Sequence, residues 1–501
     1  MGKPIITLRG VSIEYRRDDR TPIKAISDIN LELHPGEKIA VFGPNGSGKS
    51  TMLRVLAGLE RPNRGEVSIF GSAAQREGLP PHLRQRLGFV FQNPEDVFAA
   101  GTVADEIKFV LECHQPGALV TGEDLHAVLA ELGLGHLANR PLNRLSGGEK
   151  QKVALASVLT VRPEVIFFDE PTSYLDPPAR REFLKHPIFT EEGHARTTVL
   201  VTQYWEEAKT CDRTLILKNG RVIYDDTPSG YTPAEQPRPS DFQNLDEVWL
   251  NAVTSPATDP LIVVEGLQQI TPIFPGELVC PLQDISFSIR PGECVGLVGP
   301  TGAGKSTLAY HLAGLMPKFA GRIAISRRAV TGTTPKSSRP PVALLFQNPD
   351  HHLFAETVTQ DVAFGPRNMG FPKDVIASHV ERSLETAGLP AREFGPRSPF
   401  EISAGEQRKA ALAGTLALPA AVYIFDEPTA YLDSESAARV EALILALSAA
   451  GKAVIVISHD LPFLRRVCPR WIILDKGRLI YNGSLAKLDK HPEPLQKIGF
   501  V

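Results

Sequence analysis

The sequence of 501 residues is poor in cysteine, and its five cysteines (Cys113, Cys211, Cys280, Cys294, Cys468) lie far apart with no CxxC pair. That spacing argues against a zinc site or a disulfide framework and fits a reducing cytosol. Neither sign of charge dominates: 54 Lys and Arg stand against 57 Asp and Glu, a formal net charge of −3. A chain so balanced has no electrostatic footprint for nucleic acid. Long apolar runs are also missing. The opening MGKPIITLRG has no apolar core of signal-peptide length. The longest apolar stretch, Ala410–Phe425, is broken by Gly414, Thr415 and Pro419. It reads as the end of one helix and the start of a strand, not as a membrane span. Any work at a membrane is therefore expected from the aqueous side. The remainder is ordinary for a globular protein, 42% hydrophobic and 22% charged, with ample chain for several cores.

What is present is a glycine-rich loop that occurs twice. GPNGSGKST spans Gly43–Thr51, between the apolar run Ile39–Phe42 and the helical pattern MLRVLAGL. Gly43, Gly46 and Gly48 let the backbone turn its N–H groups inward, and the amides of Asn45 and Ser47 lie in the same arc. The following helix adds its positive end, Lys49 can reach the outer phosphates of a nucleotide, and the Ser50 hydroxyl, next to Thr51, can ligate Mg²⁺. GPTGAGKST repeats this arrangement at Gly299, Thr301, Gly302, Ala303, Gly304, Lys305, Ser306 and Thr307, after the strand-like Cys294–Val298.

The repeat extends well beyond the loops. Gln92 in FVFQNPED recurs as Gln347 in LLFQNPDH, LSGGEKQKVALA from Leu145 recurs as ISAGEQRKAALA from Ile402, and IFFDEPTSYLD from Ile166 recurs as YIFDEPTAYLD from Tyr423. The offsets stay between 255 and 257, which means duplication of a whole domain. Each half opens with short strands and a PGE turn (Pro35–Glu37, Pro291–Glu293), has a helical middle (Glu123–Leu132, Lys373–Ala387) and closes with a hairpin. Asn219-Gly220 is the stronger of the two hairpin turns and Lys476-Gly477 the weaker. We expect a first domain at 1–227, a Pro-rich linker at 228–260 with a short helix at Leu245–Val253, and a second domain at 261–501.

Three further motifs fall in register. VIFFDE (Val165–Glu170) is an apolar strand that delivers two carboxylates at its C-terminal end, where α/β sheets place ligands. Successive strand residues point opposite ways, so Asp169 is suited to hold Mg²⁺ and Glu170 to orient or deprotonate the attacking water. Asp426 and Glu427 repeat the pair. Gln92 and Gln347, each after an apolar strand, are candidate ligands for Mg²⁺ and water. LSGGE and ISAGE each open an apolar helix. The plain reading is a capped helix; the functional one is an anion-binding helix start built from Ser146, Gly147 and Gly148, repeated as Ser403, Ala404 and Gly405.

LSGGE followed by a Walker B strand and a D-loop (Ser173–Asp176) resembles the ATPase domain of ATP-binding-cassette (ABC) proteins, over both halves and nearly the whole chain. The resemblance implies an α/β fold: two P-loop NTPase domains, each with a mainly parallel core sheet, an antiparallel β subdomain and a helical subdomain. It implies ATP and Mg²⁺ as cofactors, and head-to-tail pairing of two cassettes, each ATP lying between one phosphate loop and the other domain's signature helix. Tyr15 and Phe274 fall where the family places an aromatic on adenine.

QNPDHHLFAETVTQDVAFGPRNMG, and its shorter version QNPEDVFAAGTVADEIKFV, resemble the energy-coupling-factor ATPases of cobalt-, nickel- and vitamin-type importers, here in fused form. That subfamily implies an integral membrane coupling protein docking beside each Q-loop, where Glu95, Asp96 and Asp350 are candidate contacts. It also implies a small membrane substrate-capture protein, a peripheral position on the cytoplasmic face of the cell membrane, and one copy per transporter through internal pairing. No nucleic-acid partner is expected. Two alternatives stay open: a tandem sugar-import ATPase, whose pattern after the Q-loops differs, and a soluble ribosome-acting cassette protein, which usually carries a long charged helical arm between its halves.

The halves differ at two places. VISHD puts His459 where the family's switch histidine contacts the γ-phosphate, whereas VTQYW puts Gln203 there, which can donate a hydrogen bond but carries no charge. The second signature carries Ala404 where the first has Gly147. Under head-to-tail pairing both departures meet in one site, so the first loop's site is expected to be slow and the second loop's, with Glu427 and His459, fully hydrolytic. Glu170 and Gln203 are the corresponding residues of the slower site.

Overall fold

The computed structural model describes residues 3–16, 22–44, 46–73, 79–114, 121–145, 147–173, 175–189, 196–231, 259–269, 282–316, 319–330, 342–349 and 352–500. The chain divides into two compact units, Met1–Ala234 and Glu235–Val501. Most of the expected linker, with its helix at Leu245–Val253, lies outside the described residues, as do Asn45, Ser146, Phe274 and Asp350.

The described residues of the first unit include ten strands: β1 (Ile6–Arg16), β2 (Pro22–Leu33), β3 (Lys38–Phe42), β4 (Arg64–Ile69), β5 (Ser72–Ala73), β6 (Leu87–Val90), β7 (Val165–Asp169), β8 (Thr197–Thr202), β9 (Arg213–Lys218) and β10 (Arg221–Asp226). They make a four-stranded antiparallel sheet, β2-β1-β4-β5, and a six-stranded sheet, β10-β9-β3-β8-β7-β6. The six-stranded sheet is parallel except at β10, which returns antiparallel along β9.

The second unit repeats the plan with β11 (Ile262–Gln269), β12 (Ile285–Ile289), β13 (Cys294–Val298), β14 (Phe319–Ile325), β15 (Arg328–Val330), β16 (Val342–Leu345), β17 (Val422–Asp426), β18 (Ala453–Ile457), β19 (Arg470–Asp475) and β20 (Arg478–Ser484). Its sheets run β12-β11-β14-β15 and β16-β17-β18-β13-β19-β20. The expected fold class, α/β with a parallel core sheet, an antiparallel sheet and helices in each half, is what the chain adopts. The broken apolar stretch resolves as the end of helix Ala404–Leu416 and the start of β17. No helix among the described residues is long and apolar enough to cross a membrane.

The core strands are continuous apolar runs because each core sheet is covered on both faces. Along β7, Val165 and Phe167 enter a core shared with the antiparallel sheet and the helix after the phosphate loop, while Ile166 and Phe168 enter the core on the other face. All four are fully buried, and burying each is worth about 1.5–3 kcal/mol. The alternation fixes where the next residue points. Asp169 emerges on the phosphate-loop side, and Asp426 does the same after Val422 and Ile424.

Both closing hairpins use a two-residue turn with positive φ at both positions, 49° and 74° at Asn219-Gly220 and 46° and 77° at Lys476-Gly477. This is the twist that suits right-handed strands. Each turn also buttresses a phosphate loop. Gly220 N–H donates to Ser47 O (3.0 Å) and Gly220 O accepts from Ser27 N–H (2.8 Å), tying loop, hairpin and antiparallel sheet together. Gly477 does likewise with Ala303 O (3.1 Å) and Gln283 N–H (2.8 Å).

Candidate functional site

Each phosphate loop is a backbone cradle with one packed wall and one open wall. Gly48, at φ 99°, starts the helix Lys49–Leu56, and a Cβ there would lie 2.3 Å from the Ala25 carbonyl oxygen. A Cβ on Gly43 would lie 2.2 Å from Leu217 O. Gly46 is different: its φ is 75°, yet nothing lies within 4 Å of where a Cβ would be. Gly302 (φ 80°) is open in the same way and Gly304 (φ 98°) starts the helix Lys305–Leu312. A positive-φ loop with its open side at a helix N-terminus is the geometry that receives a phosphate group.

Lys49 is buried, and its Nζ donates to Gly43 O (2.9 Å) and Pro44 O (3.1 Å), the first two residues of its own loop. Burial lowers its pKa, and Glu170 at 3.6 Å opposes that shift. Lys305 makes the matching contacts to Gly299 O (2.7 Å) and Pro300 O (2.9 Å). Ser50 Oγ donates to Asp169 at 2.9 Å and Ser306 Oγ to Asp426 at 2.8 Å. A hydroxyl and a carboxylate so placed at a strand end are the oxygen ligands a hard divalent cation takes. Burial raises the pKa of both aspartates, and the serine hydroxyls oppose it.

The glutamates that follow leave the strand at positive φ, 44° at Glu170 and 49° at Glu427, each returning its N–H to the neighbouring strand. Their carboxylates then diverge. Glu427 accepts from Ser458 Oγ and His459 N–H, both at 2.9 Å, with His459 Nε2 at 3.6 Å. Desolvation, and then the charge of Asp426, push its carboxyl up to about 7. Glu170 accepts instead from Ser173 Oγ (2.9 Å) and sits by Lys49. Thr202, which matches Ser458, gives its hydroxyl to Glu207 (2.7 Å). The halves thus differ in how this strand-end glutamate is held, not only at the position of Gln203 and His459.

The other expected site residues have these places in their own units. Gln92 and Gln347 follow β6 and β16, the second exposed. Gln203 follows β8 and is half-buried. Gly147 and Gly148 begin helix Gly147–Thr160. Ser403 is an N-cap in a capping box with Glu406, so the plain capping reading holds there, while Ser403 and Ala404 remain exposed and Gly405 packs near Tyr431 O. Tyr15, 40% exposed, brings its hydroxyl to Glu60 and to Thr51 Oγ1 (3.5 Å) at the loop helix.

Two buried groups escaped sequence reasoning. Glu207 accepts from Thr172 (2.6 Å) as well as Thr202, with Arg180 3.7 Å away. Arg408 is fully buried in the second signature helix, and its guanidinium donates to four main-chain carbonyls. The only sequence signals were Phe463 at the place matching Glu207 and Gln151 at the place matching Arg408.

Against known proteins, the profile of the ABC transporter family matches residues 26–173 and 282–430, once in each unit. The chain is 34% identical to a provisionally named ABC transporter ATP-binding protein of Bifidobacterium longum, covering 90% of this chain but 63% of that relative's length. It is 31% identical to YkoD of Bacillus subtilis, provisionally named an HMP/thiamine import ATP-binding protein, over 97% of this chain and 92% of the relative. Among solved structures, cbiO1 of Clostridium perfringens, part of the ABC transporter complex cbiONQ, is 28% identical over 46% of this chain and 90% of its own, with a TM-score of 0.40. With one family match on each phosphate loop and its Walker B strand, the chain belongs to the ABC transporter family and is an ATP-binding ATPase with two cassettes in tandem.

Proposed function

We propose that the chain is the ATP-hydrolysing energy-coupling subunit of a membrane importer of the energy-coupling-factor type, serving a vitamin or a transition-metal ion. The segment QNPDHHLFAETVTQDVAFGPRNMG after the second Q-loop carries this reading. The YkoD relative, matched almost end to end and named for HMP/thiamine import, supports it. Downstream of Gln347 in sequence, Phe354 and Phe364 are 58% and 45% exposed, with ring centroids 4.7 Å apart. Phe109 of the first unit, matching Phe364, is 45% exposed. Exposed aromatics in the segment after a Q-loop suit the docking of an integral membrane coupling protein. A small membrane capture protein completes the assembly, with this chain peripheral on the cytoplasmic face and one copy per transporter.

In this reading the domains are 1–227 and 261–501 and pair head-to-tail, so that Ser146, Gly147 and Gly148 close over the second loop and Ser403, Ala404 and Gly405 over the first. Ser50, Asp169 and Gln92 would hold Mg²⁺ in one site and Ser306, Asp426 and Gln347 in the other, and the ion would supply positive charge against the phosphate oxygens. The chain's own residues do the rest. The loop amides and Lys305 orient the outer phosphates, Glu427 accepts a proton from the attacking water, and Ser458 and His459 N–H fix that carboxylate. Gln203 and Ala404 leave the first site slower. The test is purification of the tagged chain from solubilised membranes. A hydrophobic coupling protein recovered with a small capture protein is the expected result; recovery with ribosomes overturns it.

A further inference from the structure

One fully buried side chain near the second site is not among the residues expected to touch nucleotide. Arg408 lies one turn into the signature helix Ala404–Leu416 and is 0% exposed. One arm of its guanidinium donates to Phe346 O and Gln347 O (3.0 Å), the residues at and before the Q-loop glutamine. The other arm donates to Asp426 O and Glu427 O (2.6 Å), the end of the Walker B strand. Three segments distant in sequence therefore meet on one planar group. Its Nε has no partner among the described residues, but both terminal nitrogens are bonded. A buried guanidinium is costly to leave unpaired, so these two arms fix the spacing of the two strand ends. Burial pushes its pKa down to about 10, which leaves it charged at neutral pH.

Among the described residues the first unit shows no such device. Gln151 occupies the matching position, is 2% exposed, and its Nε2 has no hydrogen-bond partner among them. A neutral amide has two donors on one nitrogen and cannot span two segments as a guanidinium does.

We infer that Arg408 is a positioning residue for hydrolysis: it locks Gln347 and Glu427 to the signature helix of their own unit, so that displacement of that helix moves both together, and it does so in the second unit alone. The inference rests on the reading that Glu427 and Gln347 serve hydrolysis in the second unit. Because the helix begins at the exposed Ser403 and Ala404, whatever contacts that end is mechanically linked to the Q-loop and Walker B of the second unit.

The experiment is steady-state ATPase kinetics on the full chain with Arg408→Gln, which installs the first unit's residue, and Arg408→Lys, alongside nucleotide-binding titrations and melting curves. We expect kcat to fall at least about tenfold in Arg408→Gln, with KM and nucleotide affinity changed by no more than about twofold. Arg408→Lys, whose ammonium keeps the charge but lacks the fork, should recover part of the rate. Gln151→Ala should leave kcat within about twofold of the parent. A kcat unchanged in Arg408→Lys and Arg408→Gln overturns the inference, as does a loss of kcat and affinity in proportion to the unfolded fraction. Should Arg408→Gln not fold, a full wild-type kcat in the folded Lys variant is still refuting. If Glu427→Gln hydrolyses at the wild-type rate, the reading beneath the inference fails, and the inference with it.

Discussion

Replacing one glutamate at a time should expose the inequality of the two sites. Glu427→Gln keeps the volume and one acceptor oxygen for Ser458 and His459 N–H, both at 2.9 Å in the parent, but removes the base. A positioned general base contributes about 10²–10⁴ in rate, and a loss of about 100-fold corresponds to about 2.7 kcal/mol of transition-state stabilisation. On the proposed head-to-tail pairing, which would bring Ala404 to the first loop, the first site, with Gln203 for the switch histidine, should run about 10²-fold below the second, the cost of one preorganised donor elsewhere. Glu427→Gln should then leave about 1–2% of total turnover, the sum of two small residues of activity. Glu170→Gln can remove no more than the first site's share, about 1%. Its carboxylate is in any case committed to Lys49 and Ser173. Phosphate release at saturating ATP, with melting temperatures to confirm folding, measures both. Equal losses from the two substitutions, or the larger loss from Glu170→Gln, would refute the asymmetry.

Two glycines of the first loop should fail in different ways. Gly48→Ala forces a Cβ to within 2.3 Å of Ala25 O at φ 99° and should destabilise the first unit by about 2 kcal/mol or more, read by melting. Gly46→Ala meets no protein atom, so it should cost about 1 kcal/mol in stability while weakening nucleotide binding at that loop by more than about tenfold. Glu207→Ala strands the hydroxyls of Thr172 and Thr202 beside Arg180 and should lower stability by about 3 kcal/mol in chemical denaturation. Desolvation raises the pKa of Glu207 above the ordinary 4.5, against its two threonine hydrogen bonds. Its ionisation therefore favours the unfolded chain, and its contribution is fully present below 4.5 and lost as pH rises through the raised value. As pH falls through the raised value towards 4.5, the parent should gain stability relative to Glu207→Gln; a gap that does not move with pH would contradict this.

The architecture was legible because it rests on local rules. Repeated loops, apolar strands and Asn219-Gly220 each announce a backbone conformation from a few neighbouring residues. Lys476-Gly477, a poorer turn by composition, adopts the same torsions because the strands around it impose them. The Asp169–Glu170 pair was legible for the same reason, since strand alternation fixes where Asp169 emerges. The anchoring of the carboxylates was not. Ser458 and Thr202 offer the same hydroxyl, yet Thr202 gives it to Glu207, a residue that reads as an ordinary helix glutamate, while Ser458 gives it to Glu427. Arg408 was hidden more deeply. Its partners lie 62, 61, 18 and 19 residues away, and no periodicity reports a main-chain carbonyl.

The buttress that the closing hairpins give the phosphate loops has a consequence during synthesis. Ser47 is made early, but the Gly220 amide that supports it follows about 170 residues later. At about 5–20 residues per second, the nascent first cassette spends roughly 9–35 s with its nucleotide cradle translated and unsupported. A chain stalled before Lys218 should fail to hold nucleotide, and one released past Asp226 should succeed. The cassette thus withholds its fuel until its own last strand has arrived.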